Sequence, residues 1–89
     1  MAVFAVFLDE EQPQVRERLI EAYPKPRHHQ LADNLFLVRT DTIAQTIAES
    51  LGIKGDERDA TGVVFKLNAS YSGFADRAIW DWLTLTEQP

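Results

Sequence analysis

An α+β domain built on one antiparallel sheet is predicted by three stretches of the sequence. Residues 2–8, Ala-Val-Phe-Ala-Val-Phe-Leu, are apolar at every position and stop sharply at Asp9-Glu10-Glu11. That length, with its β-branched and aromatic content, predicts a strand buried on both faces. Residues 33–52 follow one another as turn, buried strand, helix cap and short amphipathic helix. Residues 62–67, Gly-Val-Val-Phe-Lys-Leu, supply a further strand.

The other elements are justified in chain order. After Asp9-Glu10-Glu11-Gln12, Pro13 stands in the first turn of a helix, where its missing N–H costs nothing. Val15, Leu19, Ile20 and Tyr23 form the apolar stripe, and Arg16, Glu17, Arg18 and Glu21 face water. Pro24-Lys25-Pro26 ends the helix, and residues 27–31 make a polar edge strand, suited by Pro26 and the paired histidines. Asp33-Asn34 is a tight hairpin turn of residues that tolerate positive φ. Leu35 to Val38 returns as the second buried strand. Thr42 and Gln45 match a capping box, and Ile43, Ile47 and Leu51 fall four apart on one helical face. Gly52 is the expected C′ residue. Residues 54–61 are a mobile polar loop, with Asp56, Glu57, Arg58 and Asp59 solvated. Residues 76–83 form a short C-terminal helix with Ile79, Trp82 and Leu83 inward, and Trp80 and Leu85 at the inner face or an interface.

Strand, helix, strand, strand, helix, strand is the split βαβ pattern of the ferredoxin-like fold. The fold class is thus α+β, a ferredoxin-like βαββαβ antiparallel sheet with a short C-terminal helix, in which the first and third strands are central. The 89 residues form one domain, 1–89, large enough to bury roughly 60–65% of the unfolded surface and little more. Helices cover one face of the apolar first strand. So short a chain leaves little to cover the other, and a second copy is the economical candidate, which predicts a homodimer.

Composition removes several classes of function. Without cysteine there is no disulfide framework, thiolate zinc site or thiol nucleophile. The apolar N-terminal run lacks a basic region and is too short for a signal peptide or a membrane span, so the expected location is the cytoplasm, with no membrane partner. A net charge of −5 weighs against a protein that coats nucleic acid through many phosphate contacts.

Residues 34–41 (Asn-Leu-Phe-Leu-Val-Arg-Thr-Asp), Ala44 and Ile47, residues 63–67, Ser72-Gly73 and Asp81-Trp82-Leu83 together resemble the SinR-like family of small proteins. That family is similar in turn to the smaller CRISPR spacer-acquisition protein and to GhoS-type antitoxin ribonucleases, which share a compact ferredoxin-like fold. The resemblance implies a homodimer packed sheet against sheet. It also implies a metal-dependent nuclease activity for an Asp at the end of the first strand, the position that Asp9 matches.

Two sets of side chains are candidates for chemistry. Asp9 could place one carboxylate from each protomer near a two-fold axis and hold Mg²⁺, a hard cation that accepts carboxylates and waters. Alternatively, Asp9, Glu10 and Glu11 complement the N-terminus of the next helix. Lys25, Arg27, His28 and His29 form a local basic patch for nucleic acid, or an exposed, solvated edge. The two histidines point to opposite faces of their strand and cannot jointly hold one ion. Ser70, Tyr71 and Ser72 offer hydroxyls in a Gly-containing loop, without a phosphate-binding motif. The expected function is a non-catalytic interaction or regulatory module, antitoxin-like or nucleic-acid-associated, with no cofactor and with RNA or a protein as partner. The alternative is a Mg²⁺-dependent endoribonuclease centred on Asp9.

Overall fold

The computed structural model describes residues 2–67, Ile79 and residues 81–83. The elements run β1 (Ala2–Phe7), α1 (Pro13–Ala22), β2 (His28–Ala32), β3 (Leu35–Thr40), α2 (Ala44–Ser50) and β4 (Val63–Leu67). Ile79 and residues 81–83 are helical. The strands form one sheet in the order β2-β3-β1-β4, every neighbouring pair antiparallel. The two strands with the most apolar sequences, β1 and β3, are the central ones, as expected. Ser70, Tyr71, Ser72, Trp80 and Leu85 lie outside the described residues. Among the described residues, no helix is long and apolar enough to cross a membrane.

The alternation of side chains along β1 divides the core in two. Phe4, Val6 and Leu8 point to the helix-bearing face and are fully buried with Val15 and Leu19 of α1, Ile47 of α2, and Phe36 and Val38 of β3. Val3 points the other way and packs with Leu37, Trp82 and Leu83. The chain therefore supplies part of its own second cover, through the C-terminal segment, where the sequence made a second copy the economical candidate. Trp82 fastens that segment: its indole N–H donates to the Pro26 carbonyl at 2.9 Å, and its ring lies 6.1 Å from that of His29. The cover ends before the far end of the sheet. Phe7, Val63 and Phe65, on the same face by register, remain 45, 48 and 53% exposed.

Several local expectations are corrected. The Thr42 capping box does not form, because the chain stays extended through Ile43 (φ −114°, ψ 160°), which becomes the N-cap without a side-chain hydrogen bond. Ile43 consequently lies outside the apolar stripe and is 62% exposed, and Gln45 bonds Glu49 instead, at 2.9 Å. Asp33-Asn34 does make the turn, but without a positive φ outside glycine; a register shift between Gln30 and Ala32 adjusts the strands. At the other end of α2, Gly52 is the C′ residue at φ +81°. Its N–H reaches the Glu49 carbonyl at 3.2 Å and the Ile53 N–H reaches that of Ala48 at 2.9 Å, a Schellman pair.

Gly62 is required for a different reason. A Cβ there would lie 2.8 Å from both the Phe7 carbonyl oxygen and Leu8 Cδ2. Backbone cannot yield as a flexible side chain does, so Gly62→Ala must shift β4 against β1. It is expected to cost about 1–3 kcal/mol, the range for overpacking, read as a lower urea midpoint at unchanged slope.

Candidate functional site

β1 delivers Asp9 to the loop that enters α1, and Gln12, the N-cap of α1, binds it there. Gln12 is buried, unusual for its type. Its side-chain amide donates to the Thr61 carbonyl at 2.9 Å and its Oε1 accepts from the Thr61 N–H at 3.1 Å, so it pairs with that backbone unit as a strand would. Gln12 also donates to Asp9 Oδ1 at 3.3 Å, and the Thr61 hydroxyl donates to the same oxygen at 2.6 Å. Asp9 thereby ties the end of β1 and the start of α1 to the segment that leads into β4. Neither Gln12 nor Thr61 was visible from the sequence as a companion of Asp9. Among the described residues there is no group of three or more His, Cys, Asp or Glu side chains that could hold a metal. A Mg²⁺ ion at Asp9 would need further oxygen ligands, and Oδ1 already accepts two hydrogen bonds.

The histidines separate as expected, but not as an exposed pair. His28 faces the helices and is 7% exposed. Its Nδ1 lies 2.6 Å from the Tyr23 carbonyl. A carbonyl only accepts, so Nδ1 carries the proton and, in the neutral ring, Nε2 is the acceptor. His29 faces the other way, against Trp82. The structure brings Lys25, His28 and His29 to one cleft of 420 Å³ between α1 and β2, together with Arg16, which the sequence reading treated only as a solvated helix residue. Arg27 is exposed and does not line it; its carbonyl accepts from the Arg39 N–H at 2.9 Å.

The polar loop is also fastened. Arg18 and Asp59, both expected to face water alone, form a two-pronged ion pair with both N–O distances 2.7 Å, and Arg18 donates further to the Leu51 carbonyl at 3.0 Å. The Arg18 guanidinium, chiefly by hydrogen bonding, holds the Asp59 carboxyl below its ordinary value of 3.8. A carboxylate lowered in the folded state contributes stability above its unfolded pKa and loses it as pH falls through the folded value. Amide resonances of Gly52 and Asp59 should therefore report loosening of this loop only below about pH 4, with Asp59→Asn removing that acid step.

No protein-family model matches the chain, and no curated protein is similar to it.

Proposed function

We propose that this protein is a homodimeric, non-catalytic interaction module with a ferredoxin-like fold of the SinR-like type, working in the cytoplasm. The strand order, with β1 and β3 in the middle and the helices on one face, supports that fold. The observation that carries the dimer is the exposed end of the second face, where Phe7, Val63 and Phe65 lie together on one side of the sheet. A second copy related by a two-fold axis through that end would bury the three side chains against their equivalents. The two C-terminal segments would then flank the interface. The binding of Asp9 by Thr61 and Gln12 favours a structural role for that carboxylate over a nucleolytic one.

Light scattering across a concentration series tests the reading: the mass should be twice that of one chain. A strict monomer at high concentration would remove it. An RNA-cleavage assay with and without Mg²⁺, on the wild type and Asp9→Ala, should show no metal-dependent product. Cleavage lost on that substitution would install the endoribonuclease in its place.

A further inference from the structure

The cleft between α1 and β2 has no part in that dimer, and its lining is unlike the rest of this acidic chain. Arg16 and Lys25 stand at it, and among the described residues no carboxylate lines it. Arg16 is positioned by a short chain of hydrogen bonds. Its Nε donates to Gln30 Oε1 at 3.2 Å, and the Gln30 amide donates in turn to the Ala32 carbonyl at 3.2 Å. Nε is spent on that anchor, which leaves the two terminal nitrogens for an incoming group. A guanidinium held in place with its fork free suits bidentate recognition of phosphate, and the Lys25 ammonium adds a mobile second charge.

Ile20 and Pro24 add an apolar part to the same lining. His28 also lines the cleft; its Nδ1–H is committed to Tyr23, and Nε2 is the ring atom left for a donor on a ligand. A volume of 420 Å³ falls in the range of small-molecule sites, roughly 300–1,000 Å³. Two cations, an apolar flank for a flat body and a hydrogen-bond acceptor lining one cleft describe one class of ligand.

We propose that the α1–β2 cleft binds a nucleoside 5′-monophosphate unit. The phosphate lies between Arg16 and Lys25, the base lies on Ile20 and Pro24, and a hydroxyl or amino group donates to His28 Nε2. The unit has two sources, a free mononucleotide or the 5′-phosphorylated end of a nucleic-acid strand, and both offer the same chemistry. The site uses residues remote from Phe7, Val63 and Phe65, so it holds whether or not the chain dimerises.

Titrations followed by amide NMR test it, with uridine and adenosine 5′-monophosphates, the corresponding nucleosides and inorganic phosphate as probes. Two short RNA oligomers, identical except for a 5′-phosphate or a 5′-hydroxyl, complete the set. Nucleotides should shift the amides of Ile20, Lys25, His29 and Gln30, with a Kd of about 0.1–1 mM and binding at least about tenfold tighter than that of nucleoside or phosphate alone. Arg16→Gln and Lys25→Gln should each weaken this by about tenfold, and Lys54→Gln, an exposed lysine that lines no part of the cleft, should not. Tighter binding of the 5′-phosphorylated oligomer than of the free nucleotide would name a strand end as the source, and equal affinity a free nucleotide. No cleft shifts with any probe at about 10 mM overturns the proposal, as does equal weakening by all three substitutions, which marks general charge attraction.

Discussion

Replacing Phe65 with aspartate is expected to convert the proposed dimer to a monomer, halving the mass seen by light scattering without unfolding the chain. Phe65 is 53% exposed in the single chain, so the substitution removes little from the monomer's own core. In the dimer it would place one buried, unpaired carboxylate from each protomer close to its symmetry mate. Leaving such charges unpaired in an interface costs about 2–5 kcal/mol or more, enough to lower association by well over tenfold. Ile43→Asp is the matched control. Ile43 is also apolar and exposed, at 62%, but it precedes α2 on the helix-bearing side. It should leave the dimer intact, with circular dichroism reporting a folded chain in both variants. Since each chain carries a net charge of −5, added salt should strengthen wild-type association by screening the repulsion between copies. Dissociation by both substitutions, or by neither, would mean that the interface lies elsewhere.

What the sequence disclosed and what it hid follow from how far apart the partners lie along the chain. The apolar runs of β1 and β3, the glycine that ends α2 and the inward set Ile79, Trp82 and Leu83 are local patterns, each legible within one turn or one strand. The second face was half legible. Its apolar residues are plain in the alternation of β4, but their cover by the C-terminal segment depends on Trp82 reaching the Pro26 carbonyl, 56 residues earlier. The Arg18–Asp59 pair joins residues 41 apart, and to a local eye each looks like part of a solvated charge run. The start of α2 failed for another reason. Thr42 and Gln45 have the spacing of a capping box, but the extended conformation continues one residue further, and spacing alone does not decide which of two adjacent residues becomes the N-cap. In the α1–β2 cleft, Lys25, His28 and His29 were legible as neighbours in sequence. Arg16 was not, because Gln30, 14 residues on, is what fixes it.

Loss of Gln12 should damage the monomer without touching its apolar core. Within a run of acidic residues it reads as one more polar position before a helix, but it is buried and pairs with both backbone groups of Thr61, 49 residues away. Gln12→Leu keeps nearly the same volume and removes both bonds, leaving the Thr61 N–H and carbonyl without their partner. An unsatisfied buried donor or acceptor costs about 1–3 kcal/mol, so two part-buried groups together should cost about 2–4 kcal/mol in urea unfolding. Asp9→Asn should cost less. An amide keeps an oxygen to accept from the Thr61 hydroxyl, although a neutral acceptor bonds more weakly than a carboxylate. If Asp9 is structural, Gln12→Leu and Asp9→Ala should couple in a double-mutant cycle, because they share Thr61 and contact each other. Additive effects within about 0.3 kcal/mol would break this account of the Asp9 loop and free the carboxylate for another role.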